Sequence, residues 1–185
     1  MKTVCVYLGA RFGSNQLFEQ ATIKLAHDIV AMGLSLVYGG SSLGMMGLLA
    51  NTVKGLGGKA IGVTTIHLLD KEKPLGILDE LHVVDSMQER KKMLQQLADV
   101  FIVMPGGLGT LEEAIETWNA LKIGELDKKM GFLNIDNYFD KLFNFMNHCV
   151  VEGFMNAQQS AIPIVHSDPT LLLSKLMHAI GEIGT

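Results

Sequence analysis

One stretch, Val100 to Glu113, restricts the chain to few folds; it reads V-F-I-V-M-P-G-G-L-G-T-L-E-E. The apolar run Val100 to Met104 predicts a short buried strand. Pro105 stops it, because proline brings no N–H to a central ladder. Gly106, Gly107 and Gly109 predict a turn through positive φ, with no Cβ to block a ligand. Thr110 then opens a helix whose apolar face is Leu111, Ala114, Ile115, Trp118 and Leu121. A glycine turn that feeds a helix N-terminus gathers free N–H groups at the positive end of the dipole, which suits a phosphate. Thr110 and Glu113 also fit a capping box. That role accounts for two residues and leaves the three glycines unexplained.

The same strand–turn–helix rhythm runs along the whole chain. Strands are expected at Thr3 to Leu8, Leu34 to Tyr38, Lys59 to Thr64, Leu81 to Val84, Val100 to Met104 and Gly131 to Asn134, with a short last one at Ile162 to Val165. Helices are expected at Gln16 to Met32, Met45 to Leu56, Met87 to Leu97, Thr110 to about Ile123, Tyr138 to Glu152 and Leu171 to Ile180. The first shows Leu17, Ala21, Leu25 and Ile29 at helical spacing. Thr65 to Leu78 reads as irregular. Alternation of this kind argues for an α/β, Rossmann-like, doubly wound parallel sheet with helices on both faces. With no repeat and no linker, residues 1–185 are expected to form a single Rossmann-like nucleotide-binding domain. Ligands in such sheets bind beyond the carboxyl ends of the strands. The glycine turns after Leu8, Tyr38 and Met104 all lie at such ends.

Composition narrows the function classes. Apolar residues make up 48% and charged residues 18%, which fits a packed core rather than disorder. Net charge is −4 and the longest basic block is Arg90 to Lys92, so no nucleic-acid footprint is present. No apolar run is long enough to span a bilayer, and the N-terminus reads as a strand rather than a signal peptide, so we expect a cytoplasmic protein. Cys5 and Cys149 are expected as small buried hydrophobes, and the methionines as core filler. The six histidines lack ligand spacing, so no metal site is expected.

Two other turns and one helix carry candidate chemistry. Gly9 to Ser14 reads G-A-R-F-G-S, with Ser14 as a helix N-cap. Tyr38 to Gly47 reads Y-G-G-S-S-L-G-M-M-G; Gly39 and Gly40 are the expected ligand wall, and Gly44 and Gly47 allow tight helix packing. Met87 to Lys91 reads M-Q-E-R-K behind Ser86, which with Glu89 forms a capping box. Arg90 falls on one stripe with Met87, Leu94 and Leu97, so it projects among apolar residues and needs an anionic partner. That partner is either an internal carboxylate, Glu113 or Glu116, or a ligand. Lys91 and Lys92 are expected on a solvated face, and Glu72 reads as an exposed loop charge.

P-G-G-L-G-T-L-E-E matches the P-G-G-x-G-T-x-x-E motif of the Lonely Guy family of cytokinin riboside 5′-monophosphate phosphoribohydrolases, often labelled lysine decarboxylases. The second turn resembles that family's G-G-x-x-x-G-L-M-G and the third motif its M-x-x-R-K, in the right order from Val4 to about Phe154. The resemblance implies hydrolysis of the N-glycosidic bond of AMP or an N6-modified AMP, giving free base and ribose 5-phosphate. It implies Glu113 and Arg90 as catalytic residues, and Gly39, Gly40, Glu72, Lys91, Gly106, Gly107, Leu108, Gly109 and Thr110 as substrate-binding ones. It implies no cofactor, and a homodimer with sites near the interface. A carboxylate beside C1′ suits the oxocarbenium character of such a reaction. Glu113, one turn past Gly109, is the choice; Glu112 points aside and Glu116 is the fallback. Where the family shows C-G-S-S, this chain has Leu8, Gly9, Ala10 and Arg11, and Ala120 replaces a glutamine. A non-catalytic carrier resembling molybdenum cofactor carrier proteins is the alternative. A pyridoxal-dependent decarboxylase would need a supported lysine, for which Lys91 is a weak candidate.

Overall fold

The computed structural model describes residues 1–181; positions 182–185 of the span expected to form one domain lie outside the described residues. Seven parallel strands form one sheet: β1 (Thr3–Tyr7), β2 (Ser35–Tyr38), β3 (Lys59–Thr65), β4 (Glu80–Val84), β5 (Val100–Val103), β6 (Lys129–Leu133) and β7 (Ile164–His166). Their order is β4-β3-β2-β1-β5-β6-β7, so the winding reverses between β1 and β5. The helices are α1 (Gln16–Ala31), α2 (Gly44–Gly55), α3 (Ile66–Glu72), α4 (Met87–Leu97), α5 (Leu108–Lys122), α6 (Asp140–Val151), α7 (Ala157–Ser160) and α8 (Pro169–Ala179).

Strand alternation divides the core in two. Val4, Val6, Val100 and Ile102 face α1, α2 and α8, where Leu25, Ile29, Leu49, Leu172 and Leu176 are buried. Cys5, Tyr7, Phe101 and Val103 face the other way, toward Leu94 of α4 and Ala114 and Trp118 of α5. The expected doubly wound sheet with helices on both faces is therefore what forms. Trp118 is core, its indole N–H donating to the Gln159 carbonyl at 2.9 Å.

Several local expectations are corrected. Thr65 to Leu78 contains a helix, α3, whose seven residues are too few to show an apolar period in the sequence. The cap of α1 is Asn15, whose side chain accepts from the Leu17 N–H, and not Ser14. Leu17 is exposed, as is Ile115 of α5. Helix α5 begins before Thr110: its N-cap is Gly107, with no side-chain cap bond. Thr110 is thus in the first turn, and the Thr110–Glu113 capping box does not form. The Ser86 cap does form, accepting from the Glu89 N–H at 3.2 Å, while the Glu89 carboxylate turns to the Asp85 N–H. Gly47 is small to clear a loop and not the sheet, since a Cβ there would lie 2.0 Å from the Ser42 carbonyl oxygen.

Candidate active site

At the reversal point, the loops after β1 and β5 border a cavity of about 580 Å³. This is the size of a small-molecule site, in the place where doubly wound sheets bind ligands. The loop after β1, Leu8 to Gly13, forms one wall. Pro105, Gly106, Gly107, Gly109 and Thr110 form the wall opposite. Leu68 and Glu72 of α3 and Met87 and Arg90 of α4 line it too, with Glu113 of α5. Apolar surface comes from Phe18, Met46 and Tyr138. The Tyr138 hydroxyl donates to the Gly106 carbonyl at 2.7 Å and steadies the glycine turn.

That turn works by open space rather than by left-handed backbone. None of Gly106, Gly107 and Gly109 has positive φ, contrary to expectation; Gly107 sits at φ −91°. A Cβ on Gly107 or Gly109 would meet nothing within 4 Å, so these two leave the helix N-terminus bare toward the cavity. Gly106 has a different reason: a Cβ there would lie 2.1 Å from the Thr110 Oγ1. Thr110 is 5% exposed and lines the cavity. Leu108 points away from it and is 86% exposed.

Arg90 and Glu113 meet at the cavity, Nη1 to Oε1 at 2.9 Å. The Arg90 Nε also donates to the Val63 carbonyl at 2.9 Å, and Nη2 to the Gly39 carbonyl at 3.4 Å. The arginine side chain is 6% exposed and the glutamate 12%. Burial pushes the Glu113 carboxyl above the ordinary carboxylate range; the Arg90 charge and hydrogen bond oppose that shift without cancelling it.

Gly39 and Gly40 do not line this cavity. A Cβ on Gly39 would lie 2.3 Å from the Arg90 Nη2, so this glycine makes room for the guanidinium. Gly40 has φ +79° and packs against Val63 and Leu81. Lys91 is not on a solvated face. It is buried, with Nζ 2.8 Å from the Glu112 Oε1 and also paired with Glu116, and it does not line the cavity. Neither Glu112 nor Glu116 lines the cavity, so Glu113 is the one carboxylate that α5 brings to it among the described residues. The loop Leu8 to Gly13, Met46 and Met87 lie in or beside the three motifs singled out in the sequence but were given no ligand role there, and Phe18, Leu68 and Tyr138 carried no signal at all. Among the described residues no cluster of His, Cys, Asp or Glu is suited to a metal ion.

The family model described as "Possible lysine decarboxylase" matches residues 46–176, well over half of the chain. The chain is similar to the probable cytokinin riboside 5′-monophosphate phosphoribohydrolase LOGL2 of Oryza sativa subsp. japonica, 36% identical over 95% of this chain and 72% of that protein. It is 37% identical to the cytokinin riboside 5′-monophosphate phosphoribohydrolase LOG5 of Arabidopsis thaliana, over 95% of this chain and 77% of that one. Among solved structures it superposes on the molybdenum cofactor binding protein of Rippkaea orientalis with a TM-score of 0.71, at 20% identity, covering 97% and 98% of the two chains. The molybdenum cofactor carrier protein of Chlamydomonas reinhardtii gives a TM-score of 0.70 at 19% identity, covering 96% and 98%. At that identity the likeness is one of fold. The sequence matches go further, and by them this chain belongs to the cytokinin riboside 5′-monophosphate phosphoribohydrolase family, the Lonely Guy family.

Proposed function

We propose that this chain hydrolyses the N-glycosidic bond of an adenosine 5′-monophosphate, plain or N6-modified, to free base and ribose 5-phosphate. The observation that carries the reading is one carboxylate, Glu113, held by Arg90 one helical turn beyond a bare helix N-terminus in the same cavity. The 5′-phosphate sits on the N–H groups of the first turn of α5 with the Thr110 hydroxyl. Charge-assisted bonds of this kind contribute about 1.5–3 kcal/mol each. The ribose then reaches toward Glu113. As the bond breaks, the base leaves with the bonding electrons and takes a proton from solvent, while the ribosyl carbon gains oxocarbenium character, which the carboxylate stabilises as it accepts a proton from the attacking water and later returns it to solvent. Arg90 does not deprotonate and is no proton donor. Its part is to hold Glu113 ionised and aimed. The protein acts as a homodimer.

The relatives that share sequence are named for this activity, whereas the cofactor carriers share the fold alone. A pyridoxal enzyme is disfavoured because no lysine lines the cavity among the described residues.

Incubation with AMP and with N6-isopentenyl-AMP tests the reading. The parent releases free base, and Glu113→Gln loses about 10²–10⁴-fold in kcat. Adenosine reacts far more slowly than AMP. A parent that releases no base from either nucleotide would move the carrier reading to first place.

A further inference from the structure

Among the described residues four charged side chains line the cavity: Arg11, Glu72, Arg90 and Glu113. Arg90 is committed to Glu113 and to two backbone carbonyls. Lys91 is committed to Glu112 and Glu116, outside the cavity. Arg11 has no ion-pair partner among the described residues, and it is exposed. A nucleoside monophosphate brings about two negative charges at neutral pH. Among the described residues, the only cation of the cavity free to meet them is Arg11.

The backbone around Arg11 puts it beside the phosphate-binding end. A Cβ on Gly9 would lie 3.3 Å from the Gly106 Cα and 3.6 Å from the Pro105 oxygen, so the loop after β1 rests directly on the P-G-G turn. On its other side a Cβ on Gly44 would lie 2.5 Å from the Arg11 N, so the first turn of α2 abuts the same loop. Arg11 therefore leaves the chain between the N-termini of α2 and α5, each a positive dipole end that repels a guanidinium. An arginine in that place is stabilised by an anion. The Thr110 hydroxyl supplies a second, independent sign of a ligand: Thr110 is 5% exposed, lines the cavity, and its hydroxyl has no hydrogen-bond partner among the described residues.

We propose that Arg11 is a phosphate-binding, specificity-determining residue of this chain, closing over the 5′-phosphate opposite the first turn of α5. This rests on the phosphoribohydrolase reading above. The planar guanidinium suits a bidentate grip on phosphoryl oxygens. The contact lies away from the bond that breaks and is the same in ground and transition states. Its loss therefore raises KM and leaves kcat nearly unchanged.

The test is Arg11→Ala beside Arg11→Lys and the parent. The first readout is direct binding of ribose 5-phosphate by calorimetry, which needs no turnover. We expect Arg11→Ala to bind about 10–100-fold more weakly, in line with one charged hydrogen bond or two, and Arg11→Lys to recover part of the loss. The KM for AMP rises by a similar factor, and the preference for AMP over adenosine falls with it. Parent-like ribose 5-phosphate binding by Arg11→Ala, with base still released from AMP, would overturn the role of Arg11 alone. A parent that neither binds ribose 5-phosphate nor releases base would overturn the functional reading, and this proposal with it. A fall in kcat at constant KM would also count against it, since that pattern belongs to a residue acting at the sugar.

Discussion

Arg90 takes its acceptors from three separate parts of the fold: Val63 of β3, Gly39 after β2 and Glu113 of α5. Such bracing leaves the guanidinium little freedom, and the missing Cβ of Gly39 is what admits it. In Gly39→Ala the new methyl would start 2.3 Å from Nη2 and 3.1 Å from the Met46 Sδ. We expect a stability loss of about 1–3 kcal/mol from overpacking, measured by urea denaturation. Base release should fall more than tenfold as Arg90 shifts from Glu113, in a chain that still folds. Glu113 makes a second prediction through its raised pKa. Its ionised form is the proposed active one, so the acid limb of kcat/KM should lie above the ordinary carboxylate range. The stability sign is the reverse of the usual paired carboxylate. Between the unfolded pKa and the raised folded one, the native state holds a proton that the unfolded chain has lost, so stability falls as pH rises through that window. Unfolding curves of the parent and Glu113→Gln over that range should show the parent gaining on the variant as pH falls, and a constant difference would refute the assignment.

Helix α4 carries Arg90 at its front and is fastened at its back by a residue from another element. The Lys128 Nζ donates to the Gln95 carbonyl at 2.6 Å and the Gln96 carbonyl at 3.3 Å, and also to Ala98. These are the last carbonyls of α4, which have no partner within the helix, and a cation there also suits the dipole. Lys128→Met should cost about 1–3 kcal/mol in a thermal or urea melt, with KM for AMP unchanged. A variant as stable as the parent would show that water replaces these bonds. Elements whose apolar residues recur at a helix or strand period were legible in the sequence, α6 among them although it buries none of its residues. Helix α3 was missed because its seven residues, I-H-L-L-D-K-E, are too few to show such a period. The start of α5 was misplaced because Gly107, Leu108 and Gly109 look like a turn while forming a cap and a first turn. Arg90 was legible as a cation on an apolar stripe. Lys91 was not, because its burial depends on Glu112 and Glu116 of another helix, 21 and 25 residues further along the chain.

The two faces of the sheet serve the molecule differently. The face covered by α1, α2 and α8 is packed with aliphatic side chains, whereas the other carries the Arg90–Glu113 pair near Cys5 and Tyr7. On the outside of α5, Leu108 and Ile115 lie two turns apart and so on one side of the helix, 86% and 37% exposed. Exposed apolar side chains on the very helix that holds Glu113 fit a subunit contact close to the site, as the proposed homodimer requires. A stable contact of this kind buries about 1,200–2,000 Å² in total, so its core is sensitive to one buried charge. Light scattering on the parent should give a mass near twice the 20.1 kDa of the chain. Ile115→Asp should shift that mass toward the monomer, because an unpaired carboxylate in an apolar contact costs several kcal/mol. Base release should fall in step, since α5 positions Glu113 and loses its support. A parent that runs as a monomer while fully active would end the homodimer proposal. A monomeric Ile115→Asp with parental activity would separate assembly from catalysis and leave the cavity complete within one chain.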